Sequence, residues 1–221
     1  MKNSIIYLSL FCLFTLFSAV AQNRDLPLDT LVVTNHKTTI KGQSISYRAE
    51  TGTQPVWNEK GQPIASLFYT YYRRTNVNKG NERPLIFSFN GGPGSASVWM
   101  HVAYTGPRIL NIDDEGYPVQ PYGFKANPYS ILDVADIVFI NPVNTGYSRM
   151  VKVDGKMPER EQFFGINADI KYLAEWMTTF VNRKQRWEAP KYLIGESYGG
   201  TRVMGLSLAL QNQQWMYLNG V

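Results

Sequence analysis

The first part of the chain alternates apolar and polar residues with the period of two that predicts β-strands. Between residues 31 and 72 the alternation is clear at Ile45 and Tyr47, and residues 59–63 have the composition of a turn. Residues 64–72 then form an apolar run that is rich in aromatic side chains. The pattern therefore predicts an antiparallel meander of strands that leads into a larger sheet.

Farther along the chain, short apolar runs alternate with helical patterns. Residues 83–90, 136–141 and 191–194 are nearly continuous apolar runs, which are typical of strands buried on both faces of a sheet. An amphipathic helix is predicted before the third run, and a second helix over 200–210 after it. The apolar positions of the first helix are Ile166, Ile170, Leu173, Trp176, Met177, Phe180 and Val181. This order indicates an α/β fold with a mixed, mostly parallel sheet and flanking helices.

A serine lies at the tip of the predicted strand–turn–helix unit. Residues 195–199 read Gly-Glu-Ser-Tyr-Gly, which is the G-x-S-x-G pattern of a nucleophile elbow with Ser197 raised on a sharp turn. The flanking glycines suit such a turn, because it leaves little room for Cβ atoms beside the serine. The pattern alone is a weak signal, and the alternative is a turn serine without any chemistry.

A second motif follows the strand predicted over 83–90. Residues 90–95 read Asn-Gly-Gly-Pro-Gly-Ser, and such a turn can present backbone N–H groups to a developing oxyanion. The residue after a nucleophile normally gives one oxyanion donor, and a loop after an earlier strand gives the other. We therefore predict the N–H groups of Gly92 and Tyr198 as the two donors. The alternative is that these glycines only form a tight turn.

Together the two motifs resemble the serine carboxypeptidase family of α/β-hydrolases. A third stretch, residues 141–148, reads Asn-Pro-Val-Asn-Thr-Gly-Tyr-Ser and is similar to the family's Pro-Val-x-Thr-Gly-Tyr/Phe-Ser loop. The resemblance covers about residues 60–210. It implies an α/β-hydrolase fold and a serine-type carboxypeptidase, which would hydrolyse peptides or proteins with a free C-terminus through an acyl-enzyme on Ser197.

The resemblance also implies a site for the substrate's terminal carboxylate. Asn90, Gly91 and Glu196 match three of the four family positions that bind this group, and the family's Glu is protonated by sharing a hydrogen bond with a second carboxyl. At the fourth position Tyr104 stands in place of the partner Glu, and Ser88 replaces a family Trp. We therefore expect Glu196 to accept a hydrogen bond from Tyr104 and to titrate closer to an ordinary carboxyl.

The base and the acid that would activate the serine are not evident. In α/β-hydrolases the chain order is Ser, then Asp or Glu, then His. Here His36 and His101 both precede Ser197, and no Asp, Glu or His follows it. We therefore expect residues 22–221 to be the N-terminal part of a single α/β-hydrolase domain that lacks the full triad on its own. A substitute triad with His101 is the alternative, although its position favours the start of a helix or the wall of the cleft.

Other functions stay open on the same scaffold. An esterase or acyltransferase would use the same nucleophile, and proline aminopeptidases also carry a Gly-Gly-Pro-Gly segment. A non-catalytic truncated product is a third alternative. The changes at Ser88 and Tyr104 fall within the implied carboxylate site, so they bear on C-terminal specificity rather than on the nucleophile.

The chain begins with the pattern of a secretory signal. Residues 1–3 give a basic start, residues 5–17 an apolar core, and Ala-Val-Ala at residues 19–21 a cleavage site after Ala21. Cys12, the single cysteine, lies within this segment, so the mature chain would enter an oxidising compartment without disulfides. We expect a secreted or periplasmic protein with no stable membrane anchor after cleavage; an uncleaved anchor is the alternative.

Charge and composition also indicate which kinds of partner and cofactor to expect. The net charge of +5 is modest and its basic residues are scattered, which favours solvated surface charge over a nucleic-acid interface. The sequence has neither a metal-ligand cluster nor a phosphate-binding loop, so we expect no cofactor and no metal. The oligomeric state is left open by the sequence.

Overall fold

One mixed sheet organises the part of the chain that the computed structural model describes, residues 27–78 and 82–221. The predicted signal segment, residues 1–21, lies outside that part. The strands of the main sheet are β1 (Thr30–Ile40), β2 (Gln43–Trp57), β3 (Pro63–Arg74), β4 (Leu85–Phe89), β7 (Asp136–Ile140), β8 (Arg149–Met150) and β9 (Lys191–Gly195). Strands β5 (Arg108–Leu110) and β6 (Phe124–Ala126) form a separate antiparallel pair.

The strand order is β1-β2-β3-β7-β4-β9, with β8 beside β3. Strands β1, β2 and β3 are consecutive and antiparallel, which confirms the predicted meander. Strand β4 lies between β7 and β9 and is parallel to both, with Ser88 opposite Phe139 on one side and Ile194 on the other. The carboxyl ends of these three strands therefore meet at one edge of the sheet, where open α/β sheets bind their ligands.

Two helices cover one face of the sheet: α1 (Ile166–Lys184) and α2 (Tyr198–Gln214). The predicted apolar stripe of α1 is buried from Leu173 to Val181, but Ile166 is 55% exposed because it begins the helix beyond the sheet contact. Helix α1 ends at Gln185, whose left-handed conformation stops the hydrogen-bond ladder. Helix α2 begins directly after Ser197, two residues earlier than the pattern predicts.

Shorter helical turns in the described residues include a π-helix over Met100–Thr105 and 3₁₀ turns over Ile131–Asp133 and Arg160–Gln162. The main core lies between the sheet and the two long helices. Strand β4 alternates its side chains, so that Leu85, Phe87 and Phe89 all point into this core. Burying one such apolar side chain stabilises the fold by about 1.5–3 kcal/mol, so these positions fix the register of β4.

The amino ends of the parallel strands are held together by a buried ion-pair cluster. Asp136 is fully buried at the start of β7, and its carboxylate contacts Arg186 at 2.8 Å and Arg83 at 3.1 Å. The backbone N–H of Arg74 donates to the same carboxylate over 3.0 Å. A buried carboxylate is stable only with partners of this kind, so the cluster anchors the sheet edge opposite the candidate site.

Candidate active site

Ser197 lies at a sharp turn between the end of β9 and the start of α2, as the elbow motif predicts. It is solvent-exposed, with φ 58° and ψ −124°, a conformation that residues other than glycine rarely adopt. Positions of this kind carry about 1–3 kcal/mol of backbone strain, which the surrounding structure must hold in place. They recur at active sites, because the strain keeps a side chain aimed out of the turn.

The two glycines of the elbow are required by close packing. A Cβ at Gly195 would lie 2.1 Å from the carbonyl oxygen of Gly199, and one at Gly199 would lie 2.8 Å from the carbonyl oxygen of Phe89. Real Cβ atoms do not approach backbone atoms at such distances. Any side chain at either position would therefore push the start of α2 away from β4 and from the turn that carries Ser197.

The glycine turn after β4 packs directly against the elbow. A Cβ at Gly91 would lie 2.6 Å from the Tyr198 nitrogen and 2.9 Å from the Cβ of Ser197. Gly92 has φ +107°, which also favours glycine. Within residues 27–78 and 82–221, the N–H groups of Gly92 and Tyr198 have no hydrogen-bond acceptor. The two predicted donors thus belong to segments in contact, and both are free to bind a ligand.

The loop after β7, which carries the third motif at residues 141–148, is hydrogen-bonded to the loop after β4, which carries the second motif at residues 90–95. The side-chain oxygen of Asn141 accepts a hydrogen bond of 3.1 Å from the Ser97 N–H. The Ser97 hydroxyl donates to the carbonyl of Ile140 and accepts from the Asn90 N–H over 3.3 Å. Ser148 in turn donates to the Asn141 carbonyl over 2.6 Å. Hydrogen bonds between side chains and backbone groups therefore fix the loop after β4 against the loop after β7.

Asn90 and Glu196, two of the residues predicted to bind a carboxylate, are joined in the structure. The Asn90 Nδ2 donates to the Glu196 Oε2 over 3.1 Å, and its Oδ1 accepts from the Met100 N–H over 3.0 Å. Both ends of the amide are therefore engaged, which fixes its orientation. Asn90 is buried and Glu196 is exposed, so the pair presents the Glu196 carboxyl group to solvent beside Ser197.

Tyr104 does not form the hydrogen bond with Glu196 that the sequence led us to expect. It lies in the π-helix, its side chain is 58% exposed, and its hydroxyl makes no hydrogen bond within the described ranges. Its carbonyl oxygen accepts from Asn127 Nδ2 over 2.9 Å, which fixes the backbone of this turn. The expectation was wrong because sequence position before a Gly-Pro pair does not specify the π-helical turn that this chain forms.

Ser88, the other departure from the family pattern, is fully buried in the centre of the sheet. Its hydroxyl oxygen has no hydrogen-bond partner among the residues that the structure covers. Its neighbours across the strands are Phe139 and Ile194, which are apolar. An unpaired buried hydroxyl costs stability, so Ser88 is a destabilising feature of this sheet.

Neither histidine is placed to serve as a base for Ser197. His101 stacks on Phe139 at 4.5 Å between ring centroids, and its Nε2 shares a hydrogen bond of 2.7 Å with the Tyr72 hydroxyl. Burial lowers the pKa of His101 to about 4, and it lies near the start of the π-helix. His36 lies on β1, five strands away from β9, which is roughly 24 Å at the ordinary strand spacing.

Sequence reasoning missed a buried polar network beneath the glycine turn. Arg202 in α2 forms an ion pair of 2.7 Å with Asp169 in the first turn of α1. Both side chains are almost fully buried. The signal available in the sequence is that Arg202 occupies the same helical face as Leu206 and Leu210, where a charge interrupts an otherwise apolar stripe.

Parallel strands with a strained serine at their carboxyl ends, followed by a helix, are characteristic of the α/β-hydrolase fold. The family model described as serine carboxypeptidase matches residues 42–219, and the chain belongs to this family. Serine carboxypeptidase-like 36 of Arabidopsis thaliana is 30% identical over 72% of this chain and 31% of its own length. Serine carboxypeptidase-like 31 of the same plant is 27% identical over 93% of this chain and 40% of its own length.

A solved structure supports the fold. The crystal structure of the prohormone-processing carboxypeptidase Kex1(delta)p from Saccharomyces cerevisiae matches with a TM-score of 0.58 at 24% identity, covering 80% of this chain and 37% of that one. The chain thus spans between three and four tenths of the length of these relatives. In residues 27–78 and 82–221 no helix is long and apolar enough to cross a membrane.

Proposed function

We propose that this protein is a serine-type carboxypeptidase in which the Ser197 hydroxyl attacks the carbonyl of the substrate's last peptide bond. The observation that carries the proposal is the exposed, strained Ser197 whose Cβ abuts the Gly91 turn. Attack would form an acyl-enzyme and release the C-terminal residue, and water would then hydrolyse the acyl-enzyme. The free N–H groups of Gly92 and Tyr198 would bind the oxyanion that forms in each step.

We assign the recognition of the terminal carboxylate to Asn90, Gly91, Glu196 and Tyr104. The Asn90 amide is held by Met100 and Glu196, so it presents a fixed donor at the carboxyl edge of β4. Glu196 would have to carry a proton to donate to a carboxylate, since two carboxylates repel each other. Tyr104, exposed on the π-helix, would supply a hydroxyl donor.

The proposal assigns the base and its orienting acid to the part of the family's length that this chain does not span. It also includes export: residues 1–21 would direct the chain out of the cytoplasm, with cleavage after Ala21. The chemistry requires neither a metal nor an organic cofactor, because the nucleophile, the donors and the base are all protein groups.

Matched peptides test the proposal. The full-length protein is incubated with one N-blocked peptide in two forms, one with a free C-terminus and one amidated, and the products are identified by mass spectrometry. We expect release of the last residue from the free form alone, and no release by Ser197→Ala. Equal cleavage of both forms, or release of the first residue from an unblocked peptide, would contradict a carboxypeptidase.

A second candidate function has one observation in its favour. Tyr104 stands where the family has a second carboxyl, and it makes no hydrogen bond to Glu196. The family's pair of carboxyl groups is therefore absent at this site, and an esterase or acyltransferase would not need that pair. Turnover of simple acyl esters by the wild type, with neither peptide form cleaved, would favour this function over the first.

A further inference from the structure

Arg202 is a buried cation one helical turn after the proposed nucleophile. Its side chain is 1% exposed, and its guanidinium lies 5.2 Å from the centre of the Tyr198 ring and 5.7 Å from that of Phe89. Burying a guanidinium is costly unless its donors are satisfied. The positions of its hydrogen-bond partners therefore indicate what this arginine holds in place.

Two of those partners are carbonyl groups of the glycine turn. Arg202 Nη1 donates to the Asn90 carbonyl over 2.9 Å, and Nη2 donates to the Pro93 carbonyl over 3.4 Å. These carbonyls lie on either side of Gly91 and Gly92, so one planar guanidinium spans the turn that carries the proposed Gly92 donor. A lysine has a single nitrogen and lacks this fixed geometry.

The third donor of Arg202 fixes the arginine itself. Its Nε donates to Asp169 Oδ2 over 2.7 Å, and Asp169 Oδ1 accepts from the Tyr172 hydroxyl over 3.0 Å. The Tyr172 oxygen accepts in turn from the Val143 N–H over 3.1 Å. The network thus ties α2, α1 and the loop after β7 to the glycine turn. Each of the three guanidinium nitrogens of Arg202 donates a hydrogen bond, so the guanidinium has one orientation.

From these contacts we infer that Arg202 is a positioning residue for the oxyanion hole: by holding the Asn90 and Pro93 carbonyls it fixes the Gly92 N–H opposite the Tyr198 N–H. The inference rests on the proposed function. Gly91 and Gly92 have no side chains that could restrain the turn, and Gly92 adopts φ +107°. A displacement of about 1 Å in such a group lowers a rate on the order of 100-fold.

The opposite edge of the sheet offers a matched control. Arg186 is also fully buried, its Nη1 contacts Asp136 at 2.8 Å, and its Nη2 donates to the Arg83 carbonyl over 2.6 Å. It therefore has a similar arrangement of a carboxylate and a backbone carbonyl. Because Arg186 lies at the amino ends of the parallel strands, its loss perturbs folding without touching the glycine turn.

The experiment compares Arg202→Met and Arg202→Lys with Arg186→Met and Arg186→Lys in the full-length protein. For the folded fraction of each, we measure kcat and KM on the free peptide and the affinity of a peptidyl boronic acid, which places an oxygen in the oxyanion hole. We expect Arg202→Met to lower kcat and boronic acid affinity by about 10- to 100-fold with little change in KM. Arg202→Lys should lie between it and the wild type.

The Arg186 variants are expected to lower the melting temperature while kcat and boronic acid affinity of the folded fraction stay at the wild-type values. Equal kinetic effects in the two series would overturn the inference, since they would show a general effect of losing a buried arginine. If Arg202→Met does not fold, the two lysine variants carry the same comparison. A wild type without turnover or boronic acid binding would instead refute the proposed function.

Discussion

The side chain of Asn90 donates a hydrogen bond of 3.1 Å to the carboxylate of Glu196, and so joins the end of β4 to the residue before the proposed nucleophile. The same amide is held from the other side by the Met100 N–H at 3.0 Å. Hydrogen bonds at both its nitrogen and its oxygen hold the Asn90 amide in one orientation at the end of β4. Recognition by such a preorganised group requires little reordering when a substrate binds.

Asn90→Ala tests this arrangement. Removing the amide should raise KM for the free peptide about five- to tenfold, because one net hydrogen bond contributes about 1 kcal/mol, and should reduce the preference for free over amidated peptide. Asn111→Ala is the control, since the Asn111 amide donates only to carbonyls of its own exposed loop. Steady-state kinetics on the free and the amidated peptide measure both effects. An unchanged preference for the free peptide in Asn90→Ala would show that Asn90 does not bind the terminal carboxylate.

Gly91→Ala should separate the glycine turn from the elbow. The added Cβ would lie 2.6 Å from the Tyr198 nitrogen, so either the turn or the start of α2 must move. We expect a destabilisation of about 1–3 kcal/mol and a loss of labelling by a fluorophosphonate probe in the full-length protein. Gly94→Ala is the control, because a Cβ at Gly94 would have nothing within 4 Å, and this variant should label at the wild-type rate. Equal labelling of both variants would contradict the contact between the turn and the elbow.

Ser88→Ala should stabilise the protein. The Ser88 hydroxyl is buried without a partner in the described chain, so replacing it with a methyl group removes a desolvation penalty of about 1 kcal/mol. Ser97→Ala is the matched control and should destabilise by about 1–2 kcal/mol, since the Ser97 hydroxyl both donates to Ile140 and accepts from Asn90. Chemical denaturation measures both changes, and a loss of stability in Ser88→Ala would mean that its hydroxyl has a partner.

Much of the fold follows from local patterns in the sequence. The continuous apolar runs correspond to β4, β7 and β9, and the alternating region to the antiparallel meander, because burial on one or two faces imposes those periods. Ile166 fitted the helical period and is nevertheless exposed, since a periodic pattern does not show how far a helix extends beyond the sheet.

The site was harder to predict where its contacts are not local. The elbow and the glycine turn have their own sequence patterns, so Ser197 and Gly92 could be singled out. Arg202 and Asp169 are paired across two helices. The carbonyl groups that Arg202 holds are backbone groups, which every residue has, so no sequence pattern singles them out. The Tyr104 expectation failed for a similar reason, because the π-helical turn that sets its exposure depends on tertiary contacts.

His101 predicts a loss of stability in mild acid. Burial lowers its pKa from 6.5 to about 4, so between these pH values the unfolded chain takes up a proton that the folded chain does not. The unfolded state binds more protons in that window, and the free energy of unfolding therefore falls as the pH falls from about 6.5 to about 4. His101→Gln removes the titrating group and keeps a side chain able to bond the Tyr72 hydroxyl.

Denaturation at pH 7.5 and pH 5 measures this effect. The wild type should lose about 2 kcal/mol more than His101→Gln between the two pH values, since each unit of pH in the window contributes about 1.4 kcal/mol. His36→Gln is the control, because His36 lies exposed on β1, and it should lose as much as the wild type. If His101→Gln and the wild type lose stability equally, His101 takes up its proton in the folded chain as readily as in the unfolded chain, and its burial does not hold it neutral.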